Sequence, residues 1–141
     1  MLDKINLPDP SLPAIWIDQN LVSYGEFSTA VDLLTVQLIK KGILPGQRVA
    51  FLAETSVHSI VLLFALLEMG ASPCLLSTRL PKEQISYYLQ KAKASFWIDP
   101  TSLIPQKINS ESLQNPGEIL LFTSGSSGSP KLAILTPMHF L

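Results

Sequence analysis

The order of apolar and polar positions divides this chain into short segments with two different periods. Three prolines in the first thirteen residues, with little periodicity, predict a lead-in arm over 1–13. Ala14-Ile15-Trp16-Ile17 and Leu21-Val22 flank polar Asp18-Gln19-Asn20, the pattern of two short extended segments around a turn. Ser23 and Glu26 then stand at capping-box spacing. Phe27, Val31, Leu34 and Leu38 follow at helical spacing, widened by Ala30 and Leu33. Lys40-Lys41 suits the negative end of a helix and Gly42 can terminate it, so a helix is predicted over 26–41.

Beyond the turn at Pro45-Gly46, strands and helices alternate. Residues 48–52 read as an apolar strand. Thr55-Ser56 can cap a helix that runs to Met69 and stops at Gly70. Residues 60–67 are apolar on every face, which predicts a helix covered on most sides. Residues 72–76 form another strand pattern. Pro81 opens a third helix whose buried stripe is Ile85, Tyr88, Leu89 and Ala92, and residues 95–98 read as the next strand. Residues 101–117 are polar, with two prolines, and are expected to be a surface connection. Strand character returns at 119–122 and 132–135, and Pro137 is placed to begin a helix. The βαβαβ order from 48 to 98 predicts an α/β fold: a layered, mostly parallel sheet with flanking helices. Near-continuous apolar strands agree, because parallel strands are buried on both faces.

Composition narrows the function classes. At 141 residues the chain has the size of one domain, and 47% apolar against 15% charged residues argues against disorder. A formal charge of −1 with no basic stripe gives no reason to expect a nucleic-acid partner. No apolar run approaches the ~20 residues that span a bilayer, and the single cysteine, Cys74, asks for no oxidising compartment. A cytoplasmic location is expected. His58 and His139 lack metal-spaced partners, and Cys74 sits in an apolar strand as a small buried residue. Trp16 and Trp97 are expected in the core, and Arg79 in an ion pair or as a loop anchor. Glu54 and Glu68 flank the apolar helix without forming an acid/base couple.

The candidate chemistry lies in Thr123-Ser124-Gly125-Ser126-Ser127-Gly128-Ser129-Pro130-Lys131. Two glycines three apart let backbone amides turn toward one point and let an anion approach closely. The hydroxyls can donate to phosphate oxygens, and Lys131 adds a positive charge. The composition alone also suits a solvated linker, but its position between two apolar strands favours an anion site. The pattern differs from the usual P-loop, where glycine and lysine feed directly into a helix. Here Pro130 precedes Lys131 and a strand follows, giving a strand-loop-strand clamp.

This segment resembles the signature loop of the adenylate-forming superfamily, Thr-Ser-Gly-Ser-Thr/Ser-Gly-x-Pro-Lys, at every fixed position. Upstream, Ser23-Tyr24-Gly25-Glu26-Phe27 is similar to that superfamily's Ser/Thr-Tyr-x-Glu-Leu. Gly42-Ile43-Leu44-Pro45-Gly46-Gln47-Arg48-Val49-Ala50 is similar to its Gly-Val-x-Pro-Gly-Asp-Arg-Val-Ala. Leu66-Leu67-Glu68-Met69-Gly70-Ala71 is similar to its Leu-x-x-Gly-Ala helix end. The short stretch after Ile98 and Ser77-Thr78-Arg79-Leu80-Pro81 resemble the o-succinylbenzoate–CoA ligases of menaquinone synthesis.

The resemblance implies the N-terminal portion of the large domain of an ATP-dependent acid–CoA ligase. Its members join a carboxylic acid to ATP, with Mg2+, to give an acyl-adenylate and pyrophosphate; a thiol, commonly coenzyme A, then displaces AMP. By position, Thr123, Ser124, Gly125, Ser126, Ser127 and Gly128 would hold the β- and γ-phosphates, and Lys131 would support the loop. Thr136-Pro137 stands where members often have Thr-His, so His139 does not inherit that histidine's role. The downstream nucleotide and acyl-pocket segments and the C-terminal lysine have no counterpart, so the chain alone is not expected to complete adenylation. Two other readings remain open: a non-enzymatic remnant or interaction module, and an independent small α/β phosphate-binding domain.

Overall fold

A computed structural model describes residues 9–17, 19–99, 102, 104–108, 117–124 and 130–136. A two-stranded hairpin comes first: β1 (Pro13–Ile17) pairs antiparallel with β2 (Asn20–Ser23). The turn contains no glycine, and Gln19 itself takes the left-handed conformation, with φ of 65°. A register shift between Pro13 and Ile15 lets the consecutive Ala14 and Ile15 both pack against the core, while Trp16 faces Leu21 across the hairpin on the outer side. Trp16 is 76% exposed, so the expectation of a core tryptophan fails there. Trp97 does pack, half-buried, against the second of the two cores described below.

Helix α1 (Tyr24–Lys40) starts on the predicted capping box. The Ser23 hydroxyl accepts from the Glu26 amide at 3.2 Å, and the Glu26 carboxylate accepts from the Ser23 amide at 3.1 Å. Phe27, Val31, Leu34 and Leu38 form its buried stripe, as the spacing predicts. Helix α2 (Val57–Glu68) is capped by Ser56 and ends two residues before Gly70, with Met69 as C-cap. Val61, Leu62, Ala65 and Leu66 are buried, and Ile60, Leu63 and Phe64 pack half-buried against the same cluster. The all-round apolar segment is therefore covered on most sides. The Phe27 and Phe64 rings meet edge-on at 5.3 Å, joining α1 to α2.

The main sheet has six strands, ordered β6-β5-β3-β4-β7-β8. These are β3 (Arg48–Leu52), β4 (Ser72–Leu76), β5 (Phe96–Ile98), β6 (Pro105–Lys107), β7 (Ile119–Ser124) and β8 (Pro130–Leu135). The four inner strands run parallel, and β6 and β8 pair antiparallel at the two edges. Val49, Phe51, Phe96 and Ile98 face one core with α1 and α2. Ala50, Cys74, Leu76 and Leu120 face a second core, covered by Ile85, Tyr88 and Leu89 of α3 (Lys82–Lys91). Helices thus lie on both faces, as expected for parallel strands. Strand β6 is an addition to the predicted surface connection. Its sequence, Pro-Gln-Lys, is that of an edge strand, half-exposed to exposed and without an apolar face. The lead-in residues before Asp9 and the helix expected at Pro137 lie outside the described residues.

Cys74 is buried in the central strand β4, as predicted. Burial pushes its thiol up to about 12 from an ordinary 9.0, against the pull of the Arg48 guanidinium. The unfolded chain releases this proton near its ordinary value and the folded chain does not. Stability is therefore intact below about pH 9 and falls as the pH rises toward 12, by roughly a kcal/mol per pH unit. Urea unfolding of the native chain and Cys74→Ala across that window is expected to show the steeper fall in the native chain.

Candidate functional site

The carboxyl ends of parallel strands are where open α/β sheets hold ligands. Here the carboxyl ends of β4 and β7 border a pocket of about 200 Å³, lined by Leu75, Leu76, Ser77, Leu80, Tyr88, Phe122, Thr123 and Pro130. Tyr88 meets Phe122 edge-on at 4.8 Å, which seats α3 against β7. The lining is apolar apart from Ser77, the Tyr88 hydroxyl and Thr123. The volume is too small for a nucleotide and suits a handful of heavy atoms.

Two of the predicted site residues, Thr123 and Lys131, pair across strands beside this pocket, with Thr123 in its lining. Strands β7 and β8 form an antiparallel ribbon in unbroken register from Ile119↔Leu135 to Ser124↔Pro130. Thr123 and Lys131 are directly opposite each other, so both side chains lie on one face of the ribbon. Both residues are exposed. The Thr123 hydroxyl donates to the Lys131 carbonyl at 3.4 Å, a long bond that a better acceptor can displace. Ser124 is the last residue of β7. Gly125, Ser126, Ser127 and Gly128, the remaining predicted loop residues, lie outside the described residues. The segment they occupy joins two strands, and no helix starts at Lys131.

Arg79 is exposed in the β4–α3 connection, where its amide donates to the Ser77 hydroxyl at 3.1 Å. His58 is exposed on α2, remote in sequence from the rim, and His139 lies outside the described residues. Among the described residues, no three His, Cys, Asp or Glu side chains converge as metal ligands. None of the described helices is long and apolar enough to cross a membrane.

Sequence reasoning missed one polar cluster, at the opposite end of the same strands. Arg48 opens β3 and Glu118 immediately precedes β7; their side chains are 9% and 8% exposed and approach to 3.6 Å. Arg48 also donates to the Ala92 carbonyl at 2.9 Å, and the Glu118 amide donates to the Ser72 hydroxyl at 3.1 Å. Seventy residues separate the two charges, and no local pattern pairs them.

Parallel strands covered by helices on both faces, with antiparallel strands at the two edges, define an α/β class of protein. The particular family follows from similarity. The AMP-binding enzyme family matches residues 7–118, and the chain belongs to it. The matched stretch ends where β7 begins. Among curated relatives, 2-succinylbenzoate–CoA ligase of Bacillus cereus is 27% identical over 90% of this chain and 30% of its own length. A dimodular nonribosomal peptide synthase of Bacillus subtilis is 28% identical over 96% of this chain and 7% of its own. The chain thus spans less than a third of the length of these relatives. Among solved structures, o-succinylbenzoate coenzyme A synthetase of B. subtilis in complex with AMP superposes with a TM-score of 0.74 at 18% identity, covering 91% of this chain and 39% of that one. The N-terminal subdomain of Klebsiella oxytoca NpsA with 3-hydroxybenzoyl-AMSN gives 0.74 at 22% identity, covering 90% and 37%. The fold is that of the N-terminal part of adenylate-forming enzymes.

Proposed function

We propose that this chain forms the phosphate-binding part of an ATP-dependent acid–thiol ligase, in which the β7–β8 ribbon holds the β- and γ-phosphates of ATP. The observation that carries this reading is the cross-strand pairing of Thr123 with Lys131 at the carboxyl rim of the parallel strands. A hydroxyl and an ammonium on one face, flanking a glycine-serine loop, form a donor set for a polyanion. Thr123, Ser124, Ser126 and Ser127 donate hydrogen bonds, Gly125 and Gly128 give the anion access to backbone amides, and Lys131 balances charge. With the β- and γ-phosphates held, the α-phosphorus is open to in-line attack by a carboxylate oxygen, and pyrophosphate departs. Mg2+ would accompany the nucleotide and supply positive charge to its phosphate oxygens.

The product is an acyl-adenylate, from which a thiol releases AMP. The likeness to 2-succinylbenzoate–CoA ligase supports coenzyme A as that thiol and an aromatic dicarboxylic acid of menaquinone synthesis as the substrate. The peptide synthases among the relatives favour a second reading, in which the acid is an amino acid. A reaction that draws on ATP and a CoA-type thiol suits the cytoplasm. Family membership does not favour the independent small α/β phosphate-binding domain or the non-enzymatic remnant or interaction module.

Calorimetric titration of the full chain with magnesium pyrophosphate tests the reading. Lys131→Ala is expected to weaken binding at least tenfold, since a charge-assisted hydrogen bond contributes about 1.5–3 kcal/mol. Equal affinity in the native chain and the variant contradicts the assignment.

A further inference from the structure

The buried cluster at the amino ends of the strands lies on the same strand as the phosphate rim. Glu118 immediately precedes β7, and Thr123 is five residues on, about 16 Å along an extended strand. The parallel ladder that fixes β7 to the sheet is short, with register pairs only at Cys74↔Leu120 and Leu75↔Leu121. The ladder to β8 is long, but β8 is an edge strand and moves with β7. Something besides the ladder must set where the ribbon stands along β4.

The contacts at the start of β7 do this. The Gly70 carbonyl accepts from two amides, Gly46 at 2.8 Å and Gly117 at 3.2 Å. Gly70 and Gly117 have φ of 83° and 72°, a conformation that disfavours any side chain, and so the turns entering β4 and β7 are locked together. One residue on, the Glu118 amide is held by the Ser72 hydroxyl. The Glu118 carboxylate then meets the Arg48 guanidinium, itself tied to the Ala92 carbonyl between α3 and β5. A two-residue slip of β7 along β4 keeps every apolar side chain on its own face, so hydrophobic burial does not forbid it. It does separate Glu118 from Arg48 and leaves two buried charges apart, which is strongly disfavoured.

We infer that Arg48 and Glu118 are positioning residues: their buried ion pair fixes the register of β7 and thereby sets Thr123 and Lys131 at the pocket rim. The inference rests on the phosphate reading for its functional consequence, though not for the register itself. A pair of this kind contributes less to stability than to the choice among alternatives, and well-packed apolar replacements can be as stable.

That difference supplies the test. Glu118→Gln and the double variant Arg48→Met with Glu118→Leu are compared with the native chain in three measurements: urea unfolding, amide hydrogen exchange over 119–124, and titration with magnesium pyrophosphate. The double variant is expected to unfold at or above the native urea midpoint, to exchange the β7 amides at least tenfold faster, and to bind pyrophosphate about tenfold more weakly. Glu118→Gln is expected to show the same two local losses, and serves at low denaturant if the double variant does not fold. Native exchange rates and native affinity in a folded variant overturn the inference. If the native chain itself does not bind pyrophosphate, the phosphate reading fails, and exchange over 119–124 decides the positioning role: faster exchange sustains it and unchanged exchange overturns it.

Discussion

Phe51→Ala is expected to lower the unfolding free energy of the chain by about 3–5 kcal/mol. Phe51 is fully buried in β3, with Leu75 of β4 and Ile98 of β5 beside it in register. Its ring fills the core between the sheet and the α1–α2 pair. Truncation of a buried phenylalanine costs about 3–5 kcal/mol through lost burial and the cavity left behind. Domains of this size have about 5–15 kcal/mol in all, so the loss removes much of the margin. Far-ultraviolet circular dichroism in a urea series measures it. A native urea midpoint in the variant contradicts the placement of Phe51 in the core.

Arg48→Ala is the second large effect. The guanidinium carries the Glu118 pairing and the hydrogen bond to Ala92. Its removal strands a carboxylate that is 8% exposed. Breaking one side of a buried ion pair costs about 3–5 kcal/mol, most of it the penalty on the charge left behind. Restoring an apolar match by changing both residues is expected to recover that loss in full, which an unpaired mutation cannot do. Urea midpoints of native chain, Arg48→Ala, and the Arg48→Met/Glu118→Leu pair give the comparison. Equal losses in the single and double variants contradict the ion-pair account.

The elements with strong local chemistry are legible along the chain. The capping box at Ser23 and Glu26, the serine cap before α2 and the apolar blocks at 48–52 and 72–76 match the observed elements closely. Each depends on residues a few positions apart. Strand β6 is not legible, because an edge strand of Pro-Gln-Lys carries no period to read. The exposure of Trp16 follows from hairpin register: Ile15 and Val22 turn inward together, leaving Trp16 and Leu21 outside. The Arg48–Glu118 pair depends on two strands meeting across β4, which only the assembled sheet reveals. For the site, the two strands flanking the glycine-serine segment and the strand-loop-strand form are legible. The facing of Thr123 and Lys131 requires the β7–β8 register, and the pocket beneath requires α3 to lie where Tyr88 reaches Phe122.

The central claim is that a polyphosphate is held at the Thr123–Lys131 end of the ribbon. Amide chemical shifts of the full, isotopically labelled chain during titration with magnesium pyrophosphate test it most directly. The account predicts saturable shifts concentrated over residues 123–131, with Ser77 following and the amides of Arg48, Ser72 and Glu118 unmoved. Saturable shifts centred elsewhere, or none up to millimolar pyrophosphate, contradict it.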